Sequence, residues 1–127
     1  MLRDYSYGPT RLPLISFDAR FAIKYGITEA IIFNDLYFDL SMRLKIMQRR
    51  NRTWNEHNGW IEEGGYWWMR CTEEYLFDEF SILFSKRERK VAIKNLCDAG
   101  LLCIRPSMTA GYYWIRIGEE SDRTEVQ

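Results

Sequence analysis

Ser85-Lys86-Arg87-Glu88-Arg89-Lys90-Val91-Ala92-Ile93-Lys94-Asn95-Leu96-Cys97-Asp98-Ala99-Gly100-Leu101-Leu102 is the stretch on which the fold turns. Its first four residues make a capping box. The Ser85 hydroxyl can accept from the amide of residue 88 while the Glu88 carboxylate reaches back to residue 85, which sets the start of a helix. The helix continues to Ala99 and stops at Gly100, the residue type that most readily takes the left-handed conformation at a helix end. Ala92, Ile93 and Leu96 form its apolar face, and Lys86, Arg87, Lys90 and Lys94 fall on the other side. Such a cap contributes about 1 kcal/mol.

Downstream, Leu101 to Arg105 reads as a strand, Pro106 to Gly111 as a turn, and Tyr112 to Ile117 as a second strand of period two. Together they are a hairpin. Upstream, Ser81-Ile82-Leu83-Phe84 is a short turn. Before it a helix is predicted from an N-cap at Thr72 to about Phe80, with Glu73 and Glu74 at its positive end. Tyr66-Trp67-Trp68-Met69-Arg70 precedes that helix as an aromatic strand. Residues 48–65 are polar and rich in Gly and Asn and are predicted to be a long connection.

Nearer the start, a first helix is expected from Asp18 to Tyr25, capped by Ser16 or Asp18 and ended by Gly26. A longer helix follows from Thr28 to about Met47. Phe33, Leu36, Tyr37, Leu40, Leu44 and Met47 repeat at three and four residues along it, and Ile31, Phe38 and Met42 add a flanking stripe. So wide an apolar arc requires cover on two sides, either as the central helix of the domain or in a dimer interface. Residues 1–11 read as a flexible arm, 12–117 as one domain, and 118–127 as an acidic disordered tail.

At 127 residues, with 46% hydrophobic and 16% aromatic content, the chain has the material for one core. The formal net charge is zero, from 18 basic and 18 acidic residues, but the charges are segregated. Arg43, Lys45, Arg49, Arg50 and Arg52 have no acid among them. Lys86, Arg87, Arg89, Lys90 and Lys94 have only Glu88. Cys71, Cys97 and Cys103 are odd in number and form no CxxC pair, so a disulfide scaffold or zinc knuckle is not expected. His57 is the only histidine. The chain lacks the GxxxxGK[ST] phosphate loop and any clustered carboxylates, which argues against an enzyme. Accordingly no catalytic residue, metal or cofactor is expected, nor any membrane span, and the absence of an apolar signal region predicts a cytoplasmic protein.

The aromatic strand, the Thr72 and Ser85 helices, Gly100-Leu101-Leu102 and Tyr113-Trp114-Ile115 together resemble the winged-helix domains of phage and plasmid replication initiators and related replisome-organising proteins. Asn34 to Leu40, after Glu29-Ala30-Ile31, is similar to that family's long helix. The resemblance spans roughly Leu12 to Ile117. It implies a winged helix-turn-helix, mainly α with a small β-hairpin wing (α+β), acting on DNA in replication initiation or transcriptional control in a bacterial or phage-infected cell.

On that reading the Ser85 helix enters the major groove. Ser85, Lys86, Arg87, Arg89, Lys90 and Lys94 are its candidate contacts, and Arg105, Thr109 and Arg116 are those of the wing. Cations suit this role because phosphate neutralisation supplies most non-specific affinity. Double-stranded DNA is the expected partner, with a second copy through the helix at 28–47 and a replication protein as further partners. The alternative is a protein–protein interaction module, favoured by the neutral total charge and by Val91 on the basic helix. Tyr66, Trp67 and Trp68 could form a stacking platform for single strands, but aromatic strand residues beside an apolar helix read first as core.

Overall fold

The computed structural model describes residues 17–50 and 59–119. Over these residues the chain is α+β, with four helices and one small antiparallel sheet of four strands. The predicted arm over 1–11, the tail beyond residue 119 and His57 lie outside the described residues.

Helix α1, Ala19–Tyr25, begins where the Asp18 carboxylate accepts from the Arg20 amide at 2.8 Å, and ends at Gly26, whose φ is 113°. Helix α2, Ile27–Arg50, follows at once. The two are clamped by Phe21 stacked on Phe33, with centroids 5.0 Å apart. Ala30, Ile31, Ile32, Phe33, Leu36, Leu40 and Met47 are all buried within the one chain, so α2 is the central helix. Phe38, from the flanking stripe, is instead 48% exposed.

Strands β1, Trp60–Glu63, and β2, Tyr66–Thr72, form a hairpin. The predicted connection over 48–65 is therefore corrected at both ends, because α2 runs on to Arg50 and Trp60–Glu63 is a strand. Gly64 and Gly65, with φ of 64° and 84°, make the two-residue turn. Positive φ at both central positions suits the right-handed twist of paired strands, and glycine adopts it without strain.

Helix α3, Glu73–Phe77, starts at Thr72, whose Oγ1 accepts from the Tyr75 amide at 3.2 Å. It is shorter than the expected span to Phe80. From Asp78 the chain passes into turns in which the Leu83 and Phe84 amides both donate to the Phe80 carbonyl, at 3.1 and 3.0 Å. Asp39 of α2 is 1% exposed and accepts from the Tyr75 hydroxyl and, at 2.7 Å, from Arg43 Nε. A carboxylate buried in this way is tolerable only with such donors, and here it ties α3 to α2.

Helix α4, Lys86–Asp98, leads into β3, Leu102–Pro106, and β4, Tyr112–Ile117. Gly100 at φ 76° ends α4. Its amide donates to Cys97 O and that of Leu101 to Leu96 O, both at 3.0 Å, while Leu96 and Leu101 are fully buried. This pair of bonds plus an apolar contact is a Schellman ending. The strand order is β1-β2-β4-β3, so the aromatic strand joins the expected hairpin in one sheet. One face of that sheet carries Met69, Cys71, Leu102 and Ile115 into the common core with α2 and α4.

Candidate nucleic-acid interface

The capping box is formed as the sequence requires. Glu88 N donates to Ser85 Oγ at 3.1 Å, and Ser85 N donates to Glu88 Oε1 at 2.8 Å. The second bond holds the Glu88 carboxyl below its ordinary pKa, with the Ser85 side chain adding to the effect. Ser85 is therefore a start signal whose polar atoms are already occupied.

Downstream of the cap, 3.6 residues per turn distribute the side chains. Arg89, Ala92, Ile93 and Leu96 point inward and are buried. Arg87, Val91, Lys94 and Asp98 form the outward crest, and all are exposed. Lys86 and Lys90 lie on one flank, Lys90 with its Nζ 5.8 Å from the centroid of the Phe77 ring. On the other flank Asn95 Nδ2 donates to Glu29 Oε2 at 2.8 Å, tying α4 to the start of α2.

Arg89 is a correction to the set of candidate contacts. It is only 8% exposed. Its Nη1 donates to the Phe77 carbonyl and lies 3.4 Å from Asp78 Oδ1, while its Nε donates to Ser85 O at 3.3 Å. The side chain closes the end of α3 and joins it to the start of α4. Lys94 is exposed, but its Nζ donates to Asp98 Oδ2 at 2.7 Å, which raises its pKa and matches its charge.

What remains is Lys86, Arg87 and Lys90. All three are exposed, and no carboxylate of a described residue lies within ion-pair distance of them. Lys86 and Arg87 also occupy the first turn of the helix, where the macrodipole is positive and a cation is disfavoured by about 0.3–1 kcal/mol. The fold gains nothing from cations there.

The hairpin contributes less than expected. Arg105 makes a two-pronged pair with Glu63, at 2.6 and 2.7 Å, and lies 4.5 Å over the Trp68 ring. The guanidinium lowers the Glu63 pKa by hydrogen bonding. Arg116 stacks 3.9 Å over Tyr66 and 5.0 Å over Trp68, with its Nη1 donating to Ile117 O. Neither arginine presents a free head. Thr109 is exposed at the hairpin tip, its amide donating to Ser107 Oγ at 3.2 Å.

Register explains the arginines. Arg70 pairs with Trp114 and Thr72 with Tyr112, so Tyr66, Trp68, Arg70, Tyr112, Trp114, Arg105 and Arg116 share the sheet face turned from the core. Arg70 lies 5.5 Å from the Tyr112 ring and 6.0 Å from that of Trp114. Guanidinium groups lie within 6.0 Å of the centroids of all four rings, although Tyr66 and Tyr112 stay exposed, while Trp67, on the opposite face, packs against the core. The sequence reading missed Glu63 and Asp98 as charge partners. Asp98 stands four residues beyond Lys94 on a helix and was legible by spacing alone.

A cleft of about 330 Å³ lies between α2 and the sheet, with Tyr37, Leu44, Trp60 and Trp67 among its walls. Among the described residues no group of three or more His, Cys, Asp or Glu could hold a metal ion, and no helix is long and apolar enough to cross a membrane. No protein-family model matches the chain, nor does any curated protein or solved structure.

Proposed function

We propose that the chain is a DNA-binding winged-helix module in which α4 is the recognition helix and the β3–β4 hairpin is the wing. The topology favours this reading. A strand precedes two short helices joined by a turn, and the following hairpin returns through β4 to pair with that first strand. The observation that carries the function is the trio Lys86, Arg87 and Lys90, exposed and unmatched at the start of a capped helix. Exposed cations, two of them where the helix dipole opposes them and none within ion-pair distance of a carboxylate of a described residue, suit an external polyanion. The contacts are fewer than the sequence suggests: three residues of α4, with Thr109 at the wing tip. The resemblance to phage and plasmid replication proteins makes replication initiation or transcriptional control on a mobile element the setting we favour.

Titration of duplex DNA against the protein at low and high salt tests this. Binding at low salt that weakens steeply with salt, and is lost when Lys86, Arg87 and Lys90 are changed together to Ala, supports it. No binding at low salt contradicts it.

A second reading has its own observation. Ile82 and Leu83, in the turn before α4, are 59% and 42% exposed, which suits a protein partner at this end of the domain. Light scattering separates the two, because concentration-dependent self-association without DNA binding favours the interaction module.

A further inference from the structure

We propose that Arg87 and Val91 are a base-reading pair, Arg87 for the edge of a guanine and Val91 for the C5-methyl of a neighbouring thymine. The inference rests on the DNA-binding reading above and goes beyond it to specificity. Its motive is Val91, which is 48% exposed on the crest of α4 between Arg87 and Lys94. The position buries no core, the residue is stiff and only a moderate helix former, and a polar side chain would be the better neighbour for water.

Division of labour along α4 supplies the role. Lys86 and Lys90 share one flank, where a duplex backbone would pass. Asn95 on the other flank is held by Glu29, and Lys94 is held by Asp98. Arg87 and Val91 are thus the crest residues of the first two turns whose side chains have no partner among the described residues. That half of a recognition helix is the one that meets base edges. In the major groove, arginine bonds two acceptors of guanine, and the only apolar feature of a base edge is the thymine methyl. Residues i and i+4 are separated by about 6 Å along the axis, or one to two base-pair steps of roughly 3.4 Å. The two bases are therefore adjacent or one apart.

The test begins by enriching duplexes from a random pool with the wild-type chain. A guanine within two base pairs of a thymine is the expected product. Replacing that thymine by deoxyuridine, which lacks the methyl, weakens wild-type binding roughly fourfold and leaves Val91→Ala unaffected. Val91→Thr, which keeps one methyl, falls between. Arg87→Ala lowers the preference for guanine by roughly 5- to 150-fold. Circular dichroism identifies variants that have kept their helices.

Enrichment of no sequence by a chain that still binds duplex overturns base reading and leaves DNA binding standing. An equal response of wild type and Val91→Ala to deoxyuridine does the same. Failure to bind any duplex at low salt overturns both. If Val91→Ala abolishes self-association and leaves duplex affinity unchanged, the valine serves a protein contact and the pairing is wrong.

Discussion

Two sets of cations in this molecule share their chemistry and differ in surroundings. On α4, Lys86, Arg87 and Lys90 stand exposed, with no carboxylate of a described residue within ion-pair distance. On the outer face of the sheet, the guanidinium groups of Arg70, Arg105 and Arg116 lie 3.9 to 6.0 Å from the ring centroids of Tyr112, Trp114, Trp68 and Tyr66, and Glu63 takes the head of Arg105. The sheet set uses its guanidinium planes and aliphatic stems to cover aromatic surface. In the helix set only Lys90 lies over a ring, that of Phe77 at 5.8 Å, and Lys86 and Arg87 cover none among the described residues. A basic residue is therefore proposed for a binding surface here only where the fold leaves its charge unmatched by a described carboxylate.

The contrast can be broken from the sheet side first. Trp114 is 7% exposed despite lying on the outer face. Trp114→Ala should lower the unfolding free energy by about 3 kcal/mol, read by urea denaturation. A negligible loss would mean that the arginines are not structural cover. Arg89 is the intermediate case, a cation of α4 consumed by the fold. Arg89→Ala strips the Phe77 carbonyl of its donor and should cost about 2 kcal/mol, with duplex affinity of the folded chain unchanged. A loss of affinity without a loss of stability would return Arg89 to the interface.

The helix trio should behave in the opposite sense. Changing Lys86, Arg87 and Lys90 together to Ala removes cations from the positive end of a dipole, so thermal stability should hold or rise by a few tenths of a kcal/mol. A marked fall in melting temperature would mean that these side chains support the fold. Acid supplies the smallest effect. The carboxyls of Glu63 and Glu88 both titrate below their ordinary 4.5, because they accept hydrogen bonds from Arg105 and from the Ser85 amide. Each stabilises the folded chain fully above that value, and the contribution is lost as pH falls through the lowered pKa. The double variant Glu63→Gln, Glu88→Gln should show a flatter acid limb in melting temperature against pH than the parent.

Much of this fold was legible from local rules, each with a specific cause. Asp18, Thr72 and Ser85 cap their helices because short oxygen-bearing side chains reach free amides. The Gly100 ending follows from its positive φ. Strand β1 escaped because four residues, Trp-Ile-Glu-Glu, show too little period in a polar surround. The Gly64-Gly65 pair was the available signal, since two adjacent glycines before an aromatic run suit a tight hairpin. The site was less legible. Arg89 stands three, four and seven residues before Ala92, Ile93 and Leu96, and helical spacing alone places it inward. The pairing of Arg105 with Glu63 spans 42 positions and depends on the placement of β1, so it could not precede the strand that carries it.

Salt dependence of duplex binding tests the central contrast most directly. The slope of log affinity against log salt should fall by about 1 for each of Lys86 and Lys90 changed to Ala. It should stay at the wild-type value when Arg70 and Arg116 are changed to Gln. If the sheet variants flatten the slope and the α4 variants leave it intact, the polyanion lies on the aromatic face and the assignment of α4 is wrong.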